Sequence, residues 1–379
     1  MAQNPPDFEL RFTNGVAAVE GERYPRRLRF IRISMSKHPV SDHLLFNQSL
    51  GGPVLDRRAF IKSAAAAAFG TLIAGCGTKS EALSVPAGLE RIGVALFTIP
   101  HMLEQDFAAA MKKLADIGYR EVEFFGPYPY SVPEAHERRK SVGATLGLSH
   151  SGYFGLAPKQ VREILDENGL SSPSMHTDLK TLQTRLDEVA EAAHVLGHRY
   201  VGIPSIPPEQ RKSLDDYRRT ADVFNELGTR MDKVGLKFMY HNHGYGLVEM
   251  EGEIPFNLLL ERTDPNVVVL EMDVYWMSAG RADPIAYLDA YPGRFRLLHI
   301  KDMTEVARFS GDGGDAAQWI ELFPYMADAG SGVLDLEAII AQARRSRVQH
   351  YYLEHDLASH AEKTLENSYQ YLSSLEFQG

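Results

Sequence analysis

The sequence predicts an α/β protein built around a closed barrel of eight parallel strands. From Glu90 onward, short apolar runs alternate with longer segments of helical period, which is typical of β/α units in a parallel sheet. Eight such runs at this spacing favour a closed barrel over an open sheet. About 300 residues follow the first 76, enough for one barrel of about 250 residues. We therefore predict a single-domain (β/α)8 TIM barrel preceded by an export signal.

The predicted strands are eight short runs rich in apolar residues. They are Ile92–Phe97, Glu121–Phe125, Ser174–His176, Tyr200–Ile203, Lys237–His241, Val267–Met272, Phe295–Ile300 and Tyr351–Glu354. Helical period is clearest in Phe107–Ile117, Leu182–Leu196 and Tyr217–Val234, each followed by a glycine near the next strand. Segments 128–156 and 303–333 are longer than usual loops, and loops of that size are more often functional than structural.

A basic and apolar segment in the N-terminal part has the layout of an export signal. Arg57 and Arg58 precede an apolar stretch, 63–75, which ends at Cys76. This stretch is too short for a membrane-spanning helix, which takes about 20 residues, whereas a basic region before a short apolar one is typical of export. The paired arginines resemble a twin-arginine signal. Residues 72–76 resemble a lipobox, so we expect lipidation at Cys76 rather than a buried Ala-rich helix.

These features divide the chain into four regions. We expect residues 1–55 to be a poorly structured leader, 56–76 the twin-arginine and lipoprotein signal, 77–88 a linker and 89–379 the barrel. The signal begins deep in the chain, so either Met35 is the true initiator, which we favour, or the leader is long. The expected location is the periplasm, with a lipid anchor as the only membrane contact.

The charge of the chain argues against a nucleic-acid partner. Residues 1–76 hold 10 of the 40 Lys and Arg and 6 of the 50 Asp and Glu, so the rest of the chain carries a net charge of −14. Nucleic-acid binding needs a basic surface that displaces counterions from phosphates. We therefore expect no nucleic-acid partner.

Imidazole and carboxylate groups stand at the ends of four consecutive late strands. In chain order they are His241 and His243, then Asp273, then His299 with Lys301, then Glu354. The carboxyl ends of the strands surround the active site in a (β/α)8 barrel, so these groups converge. Any one of them alone is more often a satisfied buried group, but four successive strands predict a site. Mixed nitrogen and oxygen ligands suit a divalent metal ion such as Mn, Co, Zn or Mg.

The same strand ends resemble the sugar phosphate isomerase/epimerase superfamily of xylose-isomerase-like barrels. This superfamily also includes inosose dehydratases, ketose 3-epimerases and endonuclease-IV-type repair enzymes. The segments that carry the resemblance, in family order and spacing, are 240–243, 271–276, 299–303, 330–335 and 352–356. The resemblance implies that Asp273, His299 and Glu354 are metal ligands. The fourth ligand, a glutamate in the ketose epimerases, is here His241, with His243 as the other candidate.

The resemblance also implies chemistry at a carbon next to a carbonyl group. The metal ion would stabilise an enediolate, and the base would be one of Glu354, Lys301, His243 and His176. We expect an isomerase or epimerase acting on an unphosphorylated sugar or keto-sugar. β-Elimination by a 3-keto-glycoside lyase or sugar dehydratase is the alternative, since only one of the two epimerase glutamates is retained. A non-catalytic sugar-binding lipoprotein is the rival of another class.

Trp276, Tyr245 and Glu249 are the predicted substrate contacts. The two aromatic residues fall beside strand ends, where they could stack on sugar rings. Glu249 is a candidate substitute for a glutamate that relatives carry where this chain has Gly246. Export and the two aspartates of loop 311–315 argue against a phosphorylated substrate. The expected partner is a small-molecule carbohydrate, and a homo-oligomer is left open.

Overall fold

The computed structural model, which describes residues 88–377, contains a closed barrel of eight parallel strands. The barrel strands are β1 (Gly93–Ala95), β2 (Glu121–Phe125), β3 (Ser171–His176), β4 (Tyr200–Ile203), β5 (Lys237–His241), β6 (Val268–Asp273), β7 (Phe295–Ile300) and β10 (His350–Leu353). The pairing of β1 with β10 closes the ring. The predicted (β/α)8 barrel is confirmed. The predicted leader and export signal, including Met35 and Cys76, lie outside the described residues.

Helices connect the strands. They are α1 (Pro100–Gln105), α2 (Phe107–Ile117), α3 (Pro133–Leu146), α4 (Pro158–Glu167), α5 (Leu179–Thr184), α6 (Leu186–Leu196), α7 (Leu214–Asp232), α8 (Pro255–Arg262), α9 (Val274–Ala279), α10 (Pro284–Ala290), α11 (Ala316–Leu322), α12 (Leu336–Arg345) and α13 (Ala361–Ser374). Side chains cap several of these helices; Asp106, for example, accepts a hydrogen bond from Ala109 N at the start of α2. None of the described helices has the length and apolar character needed to cross a membrane.

Differences from the sequence prediction fall at element ends and in the long loops. The first strand is shorter than predicted because Leu96–Thr98 form a 3₁₀ helix. The predicted loop 128–156 contains α3, which is largely polar and buries only Ala135 and Gly143, so no helical apolar period marks it. The predicted loop 303–333 contains α11 and part of a small antiparallel sheet.

That sheet pairs β8 (Asp302–Met303) with β9 (Met326–Ala327) beside the barrel. Asp302 anchors the chain that follows: Oδ2 accepts hydrogen bonds from the Gly330 and Gly332 amides, both at 3.0 Å, and Oδ1 accepts one from Leu334 N at 3.1 Å. A Cβ on Gly332 would lie 2.3 Å from Asp302 Oδ1. The glycine-rich motif at 330–335 therefore wraps a carboxylate and has a structural role.

His198 is a buried imidazole at the start of β4, away from the polar strand ends. Its Nδ1 donates to the Ser172 carbonyl at 2.7 Å, and its Nε2 has no hydrogen-bond partner among residues 88–377. Burial lowers the pKa of His198 to about 4. The folded protein therefore holds this ring neutral at pH values where an exposed histidine is protonated.

Replacement of His198 by asparagine tests this assignment. Above pH 6.5 the ring is neutral in both the folded and the unfolded chain, whereas from there down to about pH 4 only the unfolded chain binds the proton. The folded state therefore loses about 3 kcal/mol as the pH falls through this window. In His198→Asn, whose amide can still donate to Ser172, urea unfolding should show a correspondingly weaker pH dependence. An unchanged dependence would assign the loss to other groups.

Candidate active site

The inward side chains of β5, β6, β7 and β10 form layers that change from apolar to polar along the strands. The lowest of these layers, Met239, Val269, Leu297 and Tyr352, belongs to a buried apolar cluster. The next layers, two and four residues further along, are His241, Glu271, His299 and Glu354, and then His243, Asp273, Lys301 and Asp356. Residues two apart share a face of a strand, so each strand directs its polar residues into the same interior. We call these two levels the polar layers.

Four predicted metal ligands lie together in the polar layers. Asp273, His299 and Glu354 each offer a ligand atom within 4.8 Å of the others, and His299 Nδ1 lies 2.6 Å from Glu354 Oε2. His241 Nε2 lies 3.8 Å from Asp273 Oδ2. All four side chains are buried. Two imidazole nitrogens and two carboxylate oxygens form a donor set for a divalent ion.

Two buried glutamates set which nitrogen of each histidine points toward the other ligands. Glu271 Oε2 lies 3.0 Å from His241 Nδ1, which assigns the proton to Nδ1 and leaves the Nε2 lone pair available. Glu123 Oε2 lies 2.6 Å from His299 Nε2, which turns His299 Nδ1 toward Glu354. A carboxylate behind a histidine is the arrangement that orients imidazole ligands in metal sites.

The charges around these ligands fit a bound cation. Burial opposes ionisation of the carboxylates, but His299 and His176 hold the pKa of Glu271 well below its usual range, and Lys301 and His299 do the same for Glu354. Three buried carboxylate oxygens accept no hydrogen bond from the described residues: Glu123 Oε1, Glu271 Oε1 and Asp273 Oδ2. Asp273 Oδ2 belongs to a predicted metal ligand. Among the described residues, its one charged contact within 3.0 Å is the ion pair with Lys301. A divalent ion would satisfy it.

A second group of candidate ligands overlaps the first. It consists of His176, His241, Glu271 and His299. Within it, Glu271 Oε2 already accepts hydrogen bonds from His176 Nε2 at 2.7 Å and from His241 Nδ1 at 3.0 Å. Because a protonated imidazole nitrogen cannot ligate a metal, His176 Nε2 and His241 Nδ1 would have to give up these hydrogen bonds to bind an ion through this second group.

His176, at the end of β3, presents one free imidazole nitrogen. Its Nε2 lies 2.7 Å from Glu271 Oε2 and 3.5 Å from Glu123 Oε2, and this Nε2 contact is the one hydrogen bond of the ring in the described part of the chain, so Nδ1 has no partner there. Burial opposes the charged form, but the two glutamates outweigh it and raise the pKa of His176 above its usual value. This residue also lines the central cavity.

Lys301 and Asp356 form the other ionisable pair of the polar layers. Lys301 Nζ lies 2.7 Å from Asp356 Oδ2, 2.7 Å from Glu354 Oε2 and 3.0 Å from Asp273 Oδ2. Burial opposes the ammonium form, but the three carboxylates raise the pKa of Lys301 well above its usual range. Burial raises the pKa of Asp356 to about 7, although the adjacent Lys301 favours the ionised form.

A cavity of 830 Å³ lies over the polar layers and is bounded by the loops after the strands. Trp276, predicted as a substrate contact, lines it. His243 also lines it, and its ring lies between Trp276 and Trp319, with centroid distances of 5.8 Å and 4.1 Å. Ligand sites commonly measure about 300–1,000 Å³, so this cavity has room for more than one sugar ring.

The other two predicted substrate contacts are not in this cavity. The Tyr245 hydroxyl is buried and accepts a hydrogen bond from Ile206 N at 2.7 Å, and Glu249 lines a separate cavity of 610 Å³ beside α8. Gly246 has a φ of 77°, which is strained for other residues, and a Cβ there would lie 2.9 Å from the Tyr217 hydroxyl.

Glu123, Glu271 and Asp356 are not among the site residues predicted from the sequence. Glu123 and Glu271 stand inside apolar strand runs, where they look like isolated charges. Strand parity is the signal that could have found them, since Glu271 lies two residues before Asp273, and Asp356 two residues after Glu354. Glu123 could be identified only with the knowledge that β2 approaches His299 across the barrel.

Residues 111–374 match the sequence profile of the family described as Xylose isomerase-like TIM barrel. An inosose dehydratase of Lacticaseibacillus casei is 31% identical over 59% of this chain and 72% of its own length. An inosose dehydratase of Geobacillus kaustophilus is 27% identical over 51% of this chain. The chain spans 61% of that relative's length.

Solved structures resemble the fold. A sugar phosphate isomerase/epimerase from Parabacteroides distasonis ATCC 8503 is similar with a TM-score of 0.57 and 24% sequence identity. The likeness covers 78% of this chain and 97% of that chain. At this identity it supports the barrel fold and no finer conclusion.

Glu271→Gln tests the orientation of the histidine ligands. The glutamine amide accepts a hydrogen bond less strongly than the glutamate carboxylate, and it can also turn its nitrogen toward His241 Nδ1. We therefore expect metal affinity to fall about 10- to 100-fold, as measured by calorimetric titration with Mn²⁺ or Zn²⁺. The matched control is Glu121→Gln, which removes a buried carboxylate bonded to His350 Nδ1 at 2.8 Å on the first residue of β2. Equal losses of affinity in the two variants would reduce the role of Glu271 to general stability.

Proposed function

The chain belongs to the xylose isomerase-like TIM barrel family, and we propose that it is a metal-dependent lyase that eliminates an alcohol or water from an unphosphorylated keto-sugar. One observation carries this choice. The ionisable groups beside the metal ligands are of two unlike kinds, an imidazole on β3 and an ammonium-carboxyl pair following β7 and β10. In the ring of eight strands, β3 and β7 are four strands apart.

His176 is the proposed base. Its Nε2 proton is directed to Glu271, so the Nδ1 lone pair is the one available to substrate in the cavity, as in other sites where a carboxylate orients a catalytic histidine. His176 takes the proton from the carbon next to the carbonyl. The electron pair left on that carbon forms a double bond as the bond from the next carbon to its oxygen substituent breaks.

Asp356 is the proposed acid. Its pKa of about 7 leaves it partly protonated at neutral pH, which suits proton transfer to a leaving oxygen. Lys301 remains charged and stabilises negative charge on the substrate oxygens. One proton is taken by His176 and one is given by Asp356, so the products are an unsaturated keto-sugar and an alcohol or water.

A divalent ion held by His241, Asp273, His299 and Glu354 would supply Lewis acidity at the sugar oxygens. Glu354 Oε2 lies 2.6 Å from His299 Nδ1 and 2.7 Å from Lys301 Nζ, so it is better suited to be a ligand than a base. An epimerase, one of the two activities that we expected first, would need a proton acceptor or donor on each face of the sugar. The relatives named as dehydratases also favour elimination, because a dehydratase removes water.

An unphosphorylated reacting ring fits the surroundings of the site. Five buried carboxylates already lie in the barrel, and Asp312 of the 311–315 loop lies 3.7 Å from Arg211, which lines the cavity. A phosphate at the reacting ring would add two negative charges to this set. We also propose that the protein is located in the periplasm, that it is lipid-anchored at Cys76 and that its partner is a small-molecule carbohydrate.

Proton abstraction can be followed by NMR in D₂O with the metal-loaded protein and methyl 3-keto-β-glucoside. We expect exchange at the carbon next to the carbonyl together with release of methanol and new alkene signals. His176→Gln should slow both by about 10²–10⁴-fold because the base is lost, and Asp273→Asn should abolish both. His198→Asn, a buried histidine outside the polar layers, should change neither. Interconversion of sugars without methanol or alkene would establish an isomerase or epimerase instead.

The role of Asp356 predicts a dependence on the leaving group. Methoxide needs a proton to depart, whereas 4-nitrophenolate does not, so Asp356→Asn should slow release of methanol by about 10²–10³-fold and leave release of 4-nitrophenol from the matching 3-keto-glucoside nearly unchanged. Equal losses on both substrates would show that Asp356 positions Lys301 rather than donating a proton. Calorimetric titration of the metal in the same variant controls for damage to the ligands.

A further inference from the structure

One wall of the cavity carries positive charge that the proposed reaction does not use. Arg138 and Arg139 lie on α3 and line the cavity beside Phe97 and Phe125. Within residues 88–377, neither guanidinium lies within 4.0 Å of a carboxylate. Cationic groups that face a cavity without a direct ion pair favour an anionic ligand there.

Arg139 is held in place with most of its donors free. Its guanidinium carbon lies 5.2 Å from the Phe125 ring centroid and 5.8 Å from that of Phe97. Nη2 donates to the His150 carbonyl at 3.1 Å, whereas Nε is buried and has no hydrogen-bond partner in the described chain. A stacked, planar guanidinium with unused donors is preorganised for two parallel hydrogen bonds to an oxyanion.

The neighbouring charged groups on this wall are already engaged. Asp178 lines the cavity, but its oxygens accept hydrogen bonds from Thr181 N at 2.9 Å and Thr181 Oγ1 at 2.5 Å, which caps α5. Lys180 is ion-paired with Glu134. The charges of Glu104 and Glu134 act on Arg139 and Arg138 respectively, but neither carboxylate forms an ion pair with these arginines, so guanidinium donors remain available at the cavity.

The position of this wall relates it to the reacting carbon. Phe125 is the register partner of His176 across β2 and β3, and neighbouring strands lie about 4.8 Å apart. Arg139 lies over the Phe125 ring, and both Arg139 and His176 line the cavity. A negative group bound by Arg139 would therefore share the cavity with the atom that His176 deprotonates.

We propose that Arg138 and Arg139, with the Phe97 and Phe125 rings, form a carboxylate subsite, and that the substrate is an acidic sugar or a glycoside with an acidic aglycone. The inference rests on the proposed function for the identity of the reacting ring. A carboxylate fits better than a phosphate because phosphate sites commonly add backbone amides at a helix N-terminus. The N-terminus of α5, which also lines the cavity, is taken by the Asp178 side chain.

Binding measurements test the subsite without turnover. The probes are methyl glucuronide, methyl glucoside and glucose 6-phosphate, titrated calorimetrically into the metal-loaded protein. We expect the glucuronide to bind at least about tenfold more tightly than the glucoside, and this preference to disappear in Arg139→Met, which keeps an apolar stem over the phenylalanines. Lys159→Met, which removes one positive charge from an exposed position on α4, should retain the preference.

Each other result overturns the assignment. Equal or undetectable binding of the three probes would remove the subsite, while methanol release from the neutral 3-keto-glucoside would still support the lyase. Tighter binding of glucose 6-phosphate than of the glucuronide would show that the subsite is specific for a phosphate and not for a carboxylate. A preference that survives in Arg139→Met would place the recognition elsewhere. Loss of neutral-substrate turnover alone would contradict the proposed function and leave the binding result standing.

Discussion

The excess of buried carboxylates inside the barrel is the constraint on which the arrangement of the site depends. This interior holds one buried lysine, Lys301, and three buried histidines, His176, His241 and His299. It also holds five buried carboxyl groups, those of Glu123, Glu271, Asp273, Glu354 and Asp356. An ionised carboxylate without a partner costs several kcal/mol when it is removed from water. Each group must therefore contact a donor or a cation. Glu271 contacts three imidazoles and Lys301 contacts three carboxylates, so no member can change without altering the others.

The hydrogen bonds that satisfy these charges also determine the chemistry. Glu271 accepts from both His176 and His241, so one carboxylate orients a metal ligand on β5 and the proposed base on β3. Glu123 similarly orients His299 from β2. The apolar layer beneath them closes the barrel, which keeps the local dielectric low and makes each of these contacts stronger than it would be in water. Stability of the network and orientation of its imidazoles thus have the same source.

Sequence alone predicted the barrel because strands buried on both faces read as short apolar runs. It also found the upper ends of β5, β6, β7 and β10, where polar residues interrupt these runs. It did not find the roles of Glu123 and Glu271, because their partners come from strands distant in the chain, and contact across a barrel cannot be read from local period. Helix α3 was missed for a different reason: a largely polar helix has no apolar stripe to mark it.

The reaction that such an interior supports depends on what surrounds the metal ligands more than on the ligands themselves. Epimerisation, which returns a proton to the opposite face of the same carbon, requires similar groups on the two faces of the sugar and no space beyond the sugar. Elimination requires unlike groups, one to take a proton and one to give it, and space for the group that leaves. Here His176 and the Lys301–Asp356 pair are unlike, and the cavity of 830 Å³ extends past the polar layers to the Phe97 and Phe125 wall. Charge and volume, which are independent features of the site, therefore favour the same reaction.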